Sequence, residues 1–245
     1  MQPDHPYAKQ TDHAAHGLCS ELDASEIEGM MELLARHFDG VESGNFIRDL
    51  AEKSHVLRVW KEDRLIGFST LLVYQDEVAG ETVHILYSGD TIMDPEGWGS
   101  PVLARGWIRM VREVRSSLPP GRCFWLLLSA GFRTYRLLPV FWREFWPRHD
   151  RPEPGPVREL MDGLALRRFG SLYDRAAGVV RFECPHRLRG ALAQVPVGRM
   201  TDPHIAFFLD RNPGWRAGDE LVCLTEIADE NLTTAGRRMI RVVEP

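Results

Sequence analysis

The chain reads HILYSGDTIMDPEGWGSPVLARGWIRMVREVRSSL over His84–Leu118, PPGRC over Pro119–Cys123 and FWLLLSAGFRTYRLLPVFWREF over Phe124–Phe145. His84–Met93 is rich in β-formers and predicts a strand. Asp94-Pro95 stops it, because proline cannot donate to a ladder. Glu96-Gly97-Trp98-Gly99-Ser100 is a short glycine loop. Ser100 can cap a helix, and Pro101 suits the first helical turn, where an N–H would lack a partner anyway. The following helix carries Val102, Gly106, Met110 and Val114 on one face, with Leu103, Trp107 and Val111 beside them. Pro119-Pro120-Gly121 ends it. Cys123–Leu128 is an unbroken apolar run and reads as a buried central strand. Ser129-Ala130-Gly131 leads into an aromatic-rich helix that Pro139 should kink or break.

The order is therefore strand, glycine loop, helix, strand, helix. A loop between strand and helix offers backbone N–H groups and a positive helix end to an anion such as a phosphate. A tight turn is the plainer use of the same residues, and the sequence leaves both open.

Working outward, Met1–Gly17 is polar with three histidines (His5, His13, His16) at no metal-site spacing, and is expected to be a tail. Ser25 and Glu28 have capping-box spacing, opening a helix with Ile27, Met30, Met31, Leu34 and Phe38 on one face. A short helix over Phe46–Lys53 turns Phe46, Ile47 and Leu50 inward. His55–Trp60 and Leu65–Tyr74 form a hairpin about Glu62-Asp63. Gly67 marks a bulge or close contact in the second strand. With a turn over Asp76–Glu81, the His84 strand completes an antiparallel meander. After Phe145, a proline-rich loop precedes a helix over Val157–Phe169. A strand is expected at Val179–Cys184, a helix or strand at Pro203–Asn212, and a last strand at Leu221–Ile227.

The chain has 245 residues, 44% of them hydrophobic, enough for one sizeable core with an extension. No apolar run is long enough for a membrane span, and the N-terminus has no secretory pattern. Four scattered cysteines (Cys19, Cys123, Cys184, Cys223) form neither a CxxC pair nor a disulfide framework, so buried thiols in a reducing cytoplasm are expected. The net charge is −5, unevenly spread: residues 1–96 hold 19 acidic and 7 basic residues, and residues 97–190 hold 17 basic and 8 acidic. All basic residues of that middle segment are arginines. Either they form a field that attracts an anionic ligand, or they pair with the acidic N-terminal third.

Two helices, a meander, strand–glycine loop–helix and strand–helix is an order that resembles the GNAT N-acetyltransferase superfamily. Asp63-Arg64-Leu65-Ile66-Gly67-Phe68 is similar to the family's glycine-plus-apolar hairpin, and Met93-Asp94-Pro95 to the end of its fourth strand. The resemblance covers about residues 27–147. It implies an α/β (α+β) fold: a mixed, mainly antiparallel central sheet flanked by helices, with a C-terminal extension. The domain reading is 1–20 mobile tail, 21–150 acyltransferase core, and 151–245 an extension that completes the sheet and builds the acceptor pocket.

The resemblance also implies a reaction: an activated acyl group, by default from acetyl-CoA or another acyl-CoA, passes to a small-molecule amine, with no metal. Positioning carries much of such a rate, aided by a base for the ammonium proton and an acid for the leaving thiol. Asp90 is the first choice for base or amine-binding carboxylate, with Ser88 and His84 as further candidates and Tyr135 as the candidate acid. Thr91, Ile92, Met93, Gly97, Trp98, Gly99, Ser100, Ser129 and Arg133 are the candidate donor contacts. In two respects the chain departs from the family. Its loop is shorter and begins with Glu96 where members carry Arg or Gln, and aromatic residues fill the later part of the Tyr135 helix. Arginines among aromatics also grip single-stranded nucleic acid, so aminoacyl-tRNA or an acyl carrier protein stands as an alternative donor. A catalytically silent GNAT-like binding domain stands as the alternative to an enzyme.

Overall fold

The computed structural model describes residues 12–240. The stretch expected to be a tail divides: residues 1–11, with His5, lie outside the described residues, whereas β1 (His13–Leu18) is a strand. It is held as an edge by antiparallel pairing with β2 (His55–Lys61), in register His13↔Trp60 to Leu18↔His55. The His13 and Trp60 rings stack with centroids 5.2 Å apart.

The capping box sits two residues earlier than expected. Asp23 accepts from the Glu26 amide at 2.9 Å while Glu26 accepts from the Asp23 amide at 3.0 Å. These reciprocal bonds satisfy two orphan donors and start α1 (Ala24–His37), which buries Met30, Leu33 and Leu34. Next comes α2 (Ser43–Glu52), burying Phe46 and Leu50. Ile47 was expected inward but is 53% exposed, because Phe46 and Leu50, four residues apart, define the buried stripe and Ile47 lies about 100° round the helix from Phe46.

The meander is β2, β3 (Arg64–Val78) and β4 (Glu81–Met93), all antiparallel. Asp76–Val78 remains in β3, and the turn narrows to Ala79-Gly80. Gly67 is a close approach: a Cβ there would lie 2.6 Å from Met93 Sδ and 3.0 Å from the Ile92 carbonyl oxygen. After β4, Asp94-Pro95 ends the ladder and a single 3-10 turn leads to α3 (Val102–Ser117). Fully buried β5 (Cys123–Ser129) follows.

The aromatic helix is broken into α4 (Phe132–Tyr135) and α5 (Leu137–Phe141). Pro139 is the third residue of α5, where its missing N–H leaves no intrahelical bond unmade. The extension supplies α6 (Gly155–Phe169), the two-residue strands β6 (Tyr173–Asp174) and β7 (Val179–Val180), α7 (Pro203–Arg211), β8 (Glu220–Glu226) and α8 (Thr234–Ile240). The strand expected through Cys184 stops at Val180.

The main sheet has eight strands in the order β1-β2-β3-β4-β5-β8-β7-β6. Only β4 and β5 are parallel. This is the mixed, mainly antiparallel sheet that was expected, completed by β8 from the extension. Alternation along β4 and β5 sends Leu86, Trp125 and Leu127 to the face covered by α3, and Ile85, Tyr87 and Leu126 to the face covered by α6. A third cluster joins α1 and α2 to β2, β3 and the end of β4 through Phe68 and Ile92.

Gly67→Ala is expected to lower stability by about 1–3 kcal/mol in urea unfolding, since the Ile92 carbonyl beside it is fixed backbone.

Candidate active site

The central cavity starts from a fault in the ladder. Ser69 pairs with Thr91 but Leu71 pairs with Ser88, so Gly89 and Asp90 together oppose the single residue Thr70. Such a bulge bends its strand. The parallel β4/β5 pairing runs from His84↔Cys123 to Ser88↔Leu127 and stops there. Beyond it, β4 stays with β3, whereas the end of β5 pairs only with β8. A cavity of about 890 Å³ opens at this parting, reaching Gly89–Met93 on one side and Leu128, Ala130 and Gly131 on the other.

On the α6 face the cavity is acidic and aromatic. Asp49 and Glu52 come from α2, Asp90 from β4, Glu220 from β8, and Tyr87, Phe169 and Phe182 line it nearby. Lys53, its side chain fully buried, runs across Gly89 with Nζ 2.5 Å from Asp49 Oδ2. A Cβ at Gly89 would lie 2.8 Å from Lys53 Cε, so glycine there makes room for the lysine. Burial, then Asp49, pushes the Asp90 carboxyl up to about 6, with Lys53 pulling it back. Burial, then Asp90 and Asp49, pushes Glu220 up to about 8. Both carboxyls are thus held protonated to higher pH than usual, with Asp90 giving up its proton before Glu220, the kind of split that equips a site for proton transfer. Arg168 is held by Glu52 at 2.5 Å and lies 5.4 Å from the Tyr87 ring centre.

On the α3 face the lining is Gly97, Trp98, Ser100, Leu103 and Ala104, with Phe132, Arg133 and Leu137 opposite. Gly97 is a packing glycine: a Cβ would collide with the Met93 side chain, whereas Gly99 stands in open space. Glu96 is turned away onto Lys61 and Arg64. Asp94 ties the loop to α1 through Arg36 and His37, each at 3.3 Å. The Trp98 indole donates to the Met93 carbonyl at 3.1 Å and carries the Arg133 guanidinium 4.0 Å above its ring. Arg133 donates to the Leu192 and Gln194 carbonyls at 3.1 and 3.3 Å. Burial and the neighbouring charge of Arg199 both press its pKa down.

Of the residues singled out in the sequence, Asp90, Thr91, Ile92, Met93, Gly97, Trp98, Ser100 and Arg133 line this cavity. Gly99 is beside it but not in its wall. Four are elsewhere. Tyr135 is fully buried, donates to the Pro147 carbonyl at 3.0 Å, has its pKa driven far up by burial, and does not line the cavity. Ser88 is buried and accepts from the Trp125 indole at 2.8 Å. His84 lies near the other end of β4, 3.0 Å from the Pro119 carbonyl. Ser129 is buried 3.8 Å from Cys223 Sγ. Ahead of the bulge only Tyr87 of β4 reaches the cavity, while His84 and Ser88 are turned into packed layers.

Sequence reading missed Asp49, Lys53, Arg168, Arg199 and Glu220. The one available signal was Lys53, one of three lysines in the chain, beside acidic neighbours. The aromatic stripe is core: Tyr135, Phe141, Trp142, Phe145 and Trp146 are all buried, which removes the surface on which bases would stack. Arginines of the middle segment largely meet carboxylates, including Arg112–Asp229, Arg122–Glu226 and Arg167–Asp76. Cys123 and Cys223 are buried free thiols, but Cys184 is exposed and lines the cavity. Among the described residues no group of three metal-ligating side chains converges, and no helix is long and apolar enough to cross a membrane.

No family model matches the chain, and no curated protein does. Among solved structures it is similar to a GCN5-related N-acetyltransferase from Kribbella flavida, at 18% identity over 51% of this chain and 32% of that one, with a TM-score of 0.38. The chain thus spans about a third of that protein's length. It is also similar to Escherichia coli ElaA (16% identity, 59% of this chain and 95% of that one, TM-score 0.39). A conserved protein of unknown function from Enterococcus faecalis V583 matches over 91% of this chain and 67% of its own, at 11% identity and a TM-score of 0.42.

Two outcomes are expected. Tyr135→Phe leaves the Pro147 carbonyl unpaired, so the urea midpoint should fall by the equivalent of about 1–2 kcal/mol. Glu220 holds a proton in the folded state that the unfolded chain releases between its ordinary 4.5 and about 8. Stability should therefore decline as pH rises through that window. Glu220→Gln should remove on the order of 1–3 kcal/mol of that decline, read from urea midpoints at pH 5 and 8.5.

Proposed function

We propose that this protein is an N-acyltransferase that forms an amide between a small amine and the acyl group of a thioester donor, acyl-CoA by default. The observation that carries this reading is the bulge at Gly89-Asp90, which sets a raised-pKa carboxyl pair on one face of a gap whose other face is a glycine loop and the start of a helix. A thioester lying in the gap meets backbone of β4 that no strand pairs from that side, and N–H groups there can polarise the acyl oxygen.

In this reading the amine enters from the α6 face. A protonated amine is drawn by Asp49 and Asp90, with Tyr87 and Phe169 beside it. Asp90 takes the ammonium proton. The freed nitrogen lone pair attacks the acyl carbon, the C–N bond forms and the C–S bond breaks, and the extra proton of the attacking nitrogen passes to the departing sulfur, which leaves as the thiol toward the α3 face. Glu220, still protonated, limits the negative charge around Asp90. Thr91, Ile92, Met93, Gly97, Trp98 and Ser100 line the donor's course. Arg133 and Arg199, both cationic and both lining the cavity, stand in for the loop residue that Glu96 replaces. Residues 151–245 act as the acceptor wall through Arg168, Phe169, Phe182 and Glu220. Burial of the aromatic stripe disfavours a nucleic-acid donor.

Calorimetric titration with acetyl-CoA and CoA at low salt tests the donor: micromolar binding is expected, and no binding by a folded sample overturns it. Once an acceptor amine is found, Asp90→Asn should lower kcat by roughly 10²–10⁴-fold. The wild-type rate should climb through about pH 6, as Asp90 loses its proton. An unchanged rate in the variant would remove Asp90 as base.

A further inference from the structure

Beside the main cavity is a second, much smaller one of about 20 Å³. The two share Thr91, Leu103, Ala104 and Leu137, so the small cavity adjoins the large one under the start of α3. Its remaining wall is Trp107, Ile108, Trp125, Phe141 and Trp142, all buried. The Thr91 hydroxyl is engaged with Ser69 at 2.8 Å. The walls are held in place: the Trp107 and Trp125 ring centres are 4.0 Å apart, Trp125 and Trp142 6.4 Å, and the Trp125 N–H is fixed on Ser88. A site of this kind suits hydrocarbon. Its size admits one or two heavy atoms, since a cavity that holds a single water needs about 10–15 Å³.

We propose that this recess receives the end of the donor's acyl chain, and that the protein selects acyl groups of three to four carbons over acetyl and over long chains. The proposal rests on the acyltransferase reading above. The recess lies on the α3 face, the side assigned to the donor, and borders Thr91 immediately after the bulge. The two carbons of an acetyl group are needed at the parting of the strands, where the acyl carbon reacts. One or two further carbons reach the recess. Burying a methylene contributes about 0.8 kcal/mol, which is roughly a fourfold gain in affinity per carbon. Beyond that the indoles stop the chain, because a packed, pinned wall accommodates added methylenes poorly.

The test is a calorimetric series with acetyl-, propionyl-, butyryl-, hexanoyl- and octanoyl-CoA on the full chain. Propionyl- or butyryl-CoA is expected to bind about 4–16-fold more tightly than acetyl-CoA, with hexanoyl and octanoyl falling back below the optimum. Ala104→Leu, at the half-buried mouth shared by the two cavities, should abolish the gain of propionyl- and butyryl-CoA over acetyl-CoA. Ile108→Ala, which deepens the recess, should move the optimum to a longer chain. A flat series, or one that rises steadily to octanoyl, overturns the recess but leaves the acyltransferase reading standing. CoA and every acyl-CoA failing to bind a folded sample overturns both.

Discussion

Everything at the centre of this molecule depends on one miscount between two strands. Setting Gly89 and Asp90 against Thr70 ends the parallel pairing of β4 with β5 at Ser88 and Leu127. A sheet interior is normally closed by its hydrogen bonds, so an opening inside it needs a local reason and something to hold it. The reason is the bulge. The holding is done by Lys53, which crosses Gly89 where no side chain fits, and by the third core cluster, which fixes the far end of β4 through Ile92.

That lysine also sets the electrostatics. Besides Glu52, which Arg168 neutralises, three carboxyl groups (Asp49, Asp90 and Glu220) converge around the opening, and one buried ammonium lies among them, bound to Asp49. One cation cannot ionise all three comfortably in a desolvated place. The remaining strain appears as the raised affinity of Asp90 and Glu220 for protons. A chemical capacity, two acids that keep their protons to higher pH than usual, is thus the by-product of a packing solution. The extension contributes to the same balance, since Glu220 begins β8 and Arg168 ends α6 on Glu52.

The order of elements could be read in the sequence because it is a local matter. Proline after Asp94, the capping-box spacing that opens α1 (legible, though at Ser25 and Glu28 rather than Asp23 and Glu26), the unbroken apolar run of β5 and the proline cluster before α6 each act within a few residues. What could not be read was non-local. Tyr135 and Ser88 have the right chemistry and positions in the chain, but their side chains point into packed layers. Asp49 and Glu220 are ordinary surface-type residues in sequence and meet only because α2 and β8 are brought to one opening. The strand β1 was hidden for a similar reason: HAAHGL is weakly patterned and is ordered by the edge of β2 rather than by its own preferences.

The position of β5 has a consequence for how the chain is made. It is the most apolar strand of the sheet, with all seven residues buried, and it lies between β4 and β8. Its β4 neighbour is synthesised before it. Its other neighbour emerges only after the whole of α6, β6, β7 and α7. During that interval a greasy strand presents an open edge, the feature that invites pairing with the wrong chain. Contacts so distant along the sequence also close slowly. Production of this protein is therefore expected to be governed by how well that edge is shielded on the way out of the ribosome, and truncations that omit β8 should accumulate as aggregates rather than as a smaller folded core.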